Sequence, residues 1–178
     1  MKLSTYDPSH IEEIKQLFTK TFSDSEGQSE GLVVGNLVYD LMARTDGDDL
    51  CGFVAIENQH IIGSIFFSRM TFENKVEAFL LSPVAIDTSC QGKGIGQKLI
   101  DFGLCAQKES GVELVFTYGD PNFYTKVGFS HIAEKVIKAP FPLTYPEGWL
   151  GQSLGGNEIE PIIGNPFCVD AFNKPELW

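Results

Sequence analysis

Apolar residues recur at helical spacing at Ile11, Ile14, Leu17, Phe18 and Phe22, which predicts an amphipathic helix. Glu12 and Glu13 fall in its first turn, where the helix dipole favours acids, and Ser9 is placed to cap it. A second helical stripe runs through Val34, Leu37, Val38, Leu41 and Met42, between the polar stretch 23–29 and the turn-rich stretch 45–49. Residues 53–56 and 61–68 are rich in strand formers and are separated by four polar residues, so they read as a hairpin. A third run, 76–86, alternates at Val76, Ala78 and Leu80 but holds Pro83. Proline cannot donate to a sheet ladder, so a bulge or a local end to pairing is expected there.

Ile95, Leu99, Phe102 and Ala106 mark a further helix, 112–117 a strand, and 121–126 a short helix that ends at Gly128. With an opening strand at 3–6 the order is βααβββαβαβ, which places the chain among α/β or α+β folds. From residue 139 the character changes. That stretch holds six of the nine prolines and both tryptophans, Trp149 and Trp178. The expected organisation is a domain over 1–138 with a loop-rich extension, 139–178, packed on it.

Composition narrows the classes. A chain of 178 residues with 43% hydrophobic residues and fourteen Phe is long and apolar enough to bury a proper core. Thirteen basic against twenty-four acidic residues give a net charge of −11, which argues against nucleic acid and anionic membrane surfaces as partners. No apolar run reaches the roughly 18 residues of a membrane span, and the N-terminus lacks the blocks of a signal peptide, so a cytoplasmic protein is expected. Cys51, Cys90, Cys105 and Cys168 are irregularly spaced, and only His10, His60 and His131 accompany them. Neither a disulfide framework nor a metal site is expected.

The segment that carries chemistry runs from Leu81 to Ile100: an apolar strand, the turn Gln91-Gly92-Lys93-Gly94-Ile95-Gly96-Gln97, and a helix start. Glycines at a helix N-terminus let backbone N–H groups approach an anion, and the dipole adds about half a positive charge. Two nucleotide loops fail on spacing. A P-loop needs Ser or Thr after its lysine, whereas Leu99 follows Lys98. A dinucleotide fingerprint needs its third glycine three residues after the second, whereas Gly92, Gly94 and Gly96 are spaced by two.

The spacing that fits is Gln-x-x-Gly-x-Gly at Gln91, Gly94 and Gly96, after Val84-Ala85-Ile86-Asp87. Here the chain resembles the GNAT superfamily of acetyl-CoA-dependent N-acetyltransferases. Downstream, Phe123-Tyr124-Thr125-Lys126-Val127-Gly128-Phe129 is similar to that superfamily's Tyr-x-Lys-x-Gly-Phe segment, and Gly119-Asp120-Pro121 resembles a bacterial subgroup with this turn before the tyrosine. Two departures stand out: Gln91 replaces the commoner arginine, and the segment joining the late strand to Tyr124 is short.

The resemblance implies an α+β fold with a mixed, mostly antiparallel twisted sheet and flanking helices. It implies that two parallel strands splay and that the pantetheine arm of acetyl-CoA pairs with backbone groups at Val84, Ala85 and Ile86. The N–H groups of Gly92, Lys93, Gly94, Ile95, Gly96 and Gln97, with Gln91 before them, would hold the pyrophosphate. Tyr124 would be the general acid in transfer of acetyl to an amine, carried by a small molecule or a peptide. A non-catalytic acyl-CoA-binding module and an acyltransferase acting on a hydroxyl are the alternatives. Glu77, Asp120 and Glu134 are candidate bases by position, and Cys90 is a candidate reactive thiol. The segment 140–156 is expected to form a substrate-side wall or a homodimer contact.

Overall fold

A computed structural model describes residues 1–178. The chain divides into two compact units, one of Met1–Phe66 with Pro83–Gly103, the other of Phe67–Ser82 with Leu104–Trp178.

In the first unit, β1 (Lys2–Thr5) pairs antiparallel with β2 (Leu50–Glu57), Leu3 opposite Ala55 and Thr5 opposite Phe53. β2 turns into β3 (His60–Thr71) through Asn58 and Gln59, both at positive φ (49° and 67°). Two such residues make a turn whose twist matches the strands, so the expected hairpin forms at the expected place. α1 (Ile11–Glu26) and α2 (Gln28–Arg44) bury Ile14, Leu17, Phe18 and Thr21 on one helix and Val34, Leu37, Val38 and Leu41 on the other. They pack closely because Gly31 leaves room: a Cβ there would stand 2.4 Å from the Thr19 carbonyl oxygen.

Two local expectations are corrected. The cap at the chain start is Asp7, which accepts from Ser9 N–H and opens a 3-10 turn ahead of α1, so Ser9 is a donor there. The polar stretch 23–29 is mostly helical, broken only at Gly27 (φ 100°). Polar residues on the exposed side of two helices carry no apolar stripe, so their helicity leaves no periodic signal.

In the second unit, β4 (Ala78–Ile86) begins parallel to β5 (Leu114–Tyr118), which pairs antiparallel with β7 (Trp149–Ser153), itself paired with β6 (Ser130–His131). The end of β3 pairs antiparallel with β8 (Phe167–Cys168). The fold is thus α+β, with a mixed and mostly antiparallel sheet, as expected. The extension from residue 139 contributes β7 and β8 and much of this unit's core. Trp149 stacks on Phe116 (5.3 Å, 8°) and lies edge-on to Trp178 (6.0 Å). Each indole N–H is bonded, Trp149 Nε1 to Ile137 O and Trp178 Nε1 to Phe172 O, both at 3.0 Å. Both rings therefore bury their area without stranding a donor.

Candidate active site

The anion cradle lies in the first unit, where β4 ends and α3 (Ile95–Glu109) starts. Gly92 and Gly94 are left-handed (φ 73° and 74°) with open space where a Cβ would stand, so it is the backbone conformation that demands glycine. Lys98 is the first residue to bond back into the helix, to Gly94 O (3.1 Å). The N–H groups of Gly94, Ile95, Gly96 and Gln97 form the unbonded first turn. Buried Ile95, Leu99 and Ile100 anchor the helix behind them.

The loop before the cradle is braced. Thr88 Oγ1 donates to Asp24 on α1 (2.6 Å), and Asp24 also accepts from Lys20 (2.8 Å). Those two bonds, Lys20 first, hold the Asp24 carboxyl below the usual carboxylate range. Asp87 is held low by the Ser89 hydroxyl and N–H. Gln91 turns back, its amide donating to Ile86 O (3.0 Å), which Thr21 Oγ1 also approaches (3.4 Å). Lys93 folds across the loop to Ser89 O (3.1 Å) and keeps its charge beside the glycines. Asp87 N–H bonds to Ile62 O on β3.

In the second unit, β4 and β5 pair at only three positions, Ala78 with Leu114, Phe79 with Val115 and Leu80 with Phe116. The pairing ends at Leu80, and Pro83 falls past the last pair. The expected end to pairing is present, on the β5 side of β4. One residue past that pair, fully buried Thr117 donates to Leu81 O (2.8 Å).

Tyr124 closes α4 (Pro121–Tyr124), whose cap Asp120 accepts from Asn122 N–H (2.9 Å). The ring is half-buried, edge-on to Phe123 (5.1 Å) and Phe129 (5.8 Å). Burial pushes the phenol above its ordinary value of 10.0, Asp120 adds to the rise, and a hydrogen bond with Thr117 opposes it. Thr117 is the residue that the sequence reading passed over. Its one signal is a hydroxyl in the otherwise apolar run Leu114-Val115-Phe116-Thr117.

The remaining candidates are less suited to chemistry. Glu77 is paired with Arg69 (2.6 Å), Asp120 serves as a cap, and Glu134 is exposed. Cys90 is half-buried, its sulfur 3.7 Å from Ser89 Oγ.

Comparison with known proteins agrees with this geometry. An acetyltransferase (GNAT) domain model matches residues 48–131. The uncharacterized N-acetyltransferase YjhQ of Escherichia coli K12 is 28% identical over 170 residues, 92% of this chain and 90% of that protein. The uncharacterized N-acetyltransferase YhbS of the same organism is 32% identical over 140 residues, 78% of this chain and 82% of that protein. The crystal structure of E. coli YhbS in complex with CoA matches with a TM-score of 0.82 at 22% identity, covering 97% of this chain and 92% of that one. On this evidence the chain belongs to the GNAT family of acetyltransferases.

Proposed function

We propose that the protein transfers acetyl from acetyl-CoA to an amine on a small molecule or peptide, as a member of the bacterial subgroup marked by Gly119-Asp120-Pro121. The observation that carries this reading is the unbonded first turn of α3, preceded by two left-handed glycines. Consecutive N–H groups in that arrangement suit a pyrophosphate. The backbone of Gly92, Lys93, Gly94, Ile95, Gly96 and Gln97 holds the phosphates, Lys93 adds charge, and Gln91 braces the loop from behind. The strand edge left free past Leu80 suits an extended arm, with Val84, Ala85 and Ile86 supplying backbone groups.

Bound acetyl-CoA supplies an acetyl thioester open to attack by an amine. Tyr124, whose raised pKa keeps the phenol protonated through the physiological range, gives its proton to the departing sulfur. The 140–156 segment walls the acceptor side.

Acetyl-CoA at a hundredfold excess over Kd should stabilise the fold by about 2.7 kcal/mol, and Gly94→Glu, which puts a negative carboxylate into the cradle, should abolish the melting shift. Incubation with an amine panel should release free CoA. A wild type that shows no shift at millimolar acetyl-CoA sinks the proposal. Binding without release of CoA points to a non-catalytic module, and acylated alcohols to a hydroxyl transferase.

A further inference from the structure

Tyr124 is seated against backbone. A Cβ on Gly119 would stand 2.7 Å from Tyr124 Cε2 and 3.5 Å from Cδ2, so the ring edge lies where any other side chain would begin. The φ of Gly119 is outside the left-handed region, so its backbone alone would accept a side chain. Close approach of the ring, and no demand of backbone shape, is what keeps the position without one. The residues that follow complete the seat. Asp120 caps α4, Pro121 opens it, and Tyr124 N–H bonds back to Asp120 O (3.2 Å). Phe129 N–H bonds to Tyr124 O (3.2 Å), and the Phe123 and Phe129 rings stand edge-on to the phenol.

Gly119 is fixed in turn by the extension. Its N–H donates to Gly148 O (3.0 Å), and a Cβ on buried Gly148 would stand 3.0 Å from Gly119 O and 3.2 Å from the Tyr118 ring. The φ of Gly148 is likewise outside the left-handed region. The turn that carries it is tied at its start by Tyr145 N–H, which donates to the Tyr118 hydroxyl (2.7 Å), and Tyr118 stacks on Trp178 (6.1 Å). Two glycines thus let three layers touch: the turn of the extension, the end of β5 and the Tyr124 ring.

We infer that Gly119 is a positioning residue. It lets the Tyr124 phenol rest on the end of β5, and through its bond to Gly148 the turn 145–148 sets where that phenol stands. The inference rests on the acetyl-transfer reading above, in which Tyr124 protonates the departing sulfur, and it gives the extension a part in that step. A proton donor must lie within hydrogen-bond reach of its target. A methyl group on Gly119 would fall about 1 Å short of an ordinary carbon–carbon contact with the ring, and a misplacement of that size costs about 10²-fold in rate.

The test uses the intact chain and two readouts. The first is fluorine NMR of protein labelled with fluorotyrosine, with the Tyr124 signal assigned by its absence in Tyr124→Phe. Gly119→Ala should move that signal and leave those of Tyr6 and Tyr39 in place. The second is release of free CoA from acetyl-CoA with the amine panel. Gly119→Ala should lower kcat about 10²-fold at an unchanged KM for acetyl-CoA, whereas in a Tyr124→Phe background it should change kcat by less than about twofold, the limit for independent sites. Gly148→Ala presses on Gly119 from the other side with a milder contact, and should give a smaller loss in the same pattern; it carries the test if Gly119→Ala does not fold. An unmoved Tyr124 signal, an undiminished kcat, or an equal loss with and without the phenol overturns the inference. A wild type that releases no CoA sinks the transfer reading and this inference with it, whereas release by the wild type with both alanine variants unimpaired sinks the inference alone.

Discussion

Replacing Thr117 with valine removes one hydroxyl from a fully buried position and keeps the side chain's shape. In the wild type that hydroxyl donates to Leu81 O at 2.8 Å, one residue past the last β4/β5 pair. With valine, the carbonyl faces two methyl groups in a site closed to water. Stranding a buried acceptor in this way costs about 1–3 kcal/mol. For a domain of this size each kcal/mol corresponds to about 2–4 °C in Tm, so a drop of about 2–12 °C is expected in a calorimetric scan. Thr117→Ser keeps the donor and loses one methyl group, and should lie between the two. The reasoning is refuted if valine melts with the wild type, or if serine destabilises more than valine does.

Other expectations follow from the same geometry. Tyr124→Phe should lower kcat by about 10²- to 10⁴-fold with acetyl-CoA affinity unchanged, since a general acid acts in the transition state; an unaltered kcat would reduce Tyr124 to packing. Because the phenol is raised above 10.0, wild-type kcat should show no alkaline fall from this group below that pH, checked in a rate profile run to pH 10. Burial first, and Asp170 in the same direction, push Cys168 to about 11, so at pH 8 only about one part in a thousand is thiolate and a thiol reagent should label exposed Cys105 well before it. Asp24 and Asp87 are held below their ordinary pKa in the fold, so their contribution is complete above the unfolded carboxyl value of about 4 and is lost as pH falls through the folded values. Thr88→Ala, which frees Asp24 from one donor, should flatten the loss of Tm over that acid range, and an identical slope in both proteins would exclude the bond.

Most of what positions the cradle was legible in the sequence because it is local. Helical and alternating stripes, a polar two-residue turn and glycines at fixed offsets act over a few residues, and each left its mark. The Thr88–Asp24 brace joins residues 64 apart, and nothing near Asp24 distinguishes it from any other exposed acid. Ser9 and Asp7 are both good caps, and Pro8, which suits the first position of a helical turn, decides for Asp7. The extension was harder still. Its prolines and glycines hide short strands, and β7 is specified by its pairing with β5 and by the stacking of its first residue, Trp149, on Phe116 more than by any alternation of its own. The bond from Tyr145 N–H to the Tyr118 hydroxyl joins residues 27 apart, and no periodic pattern can register such a meeting.

The pairing of β5 bears on how the protein avoids self-association. Free strand edges ordinarily invite another chain, and proteins blunt them with charges, prolines or short strands at the rim of a sheet. All five residues of β5 pair on one side with β7, and its first three pair on the other side with β4. Its unpaired edge is therefore only Thr117 and Tyr118 long, a stretch too short for a second copy of the protein to build a ladder on.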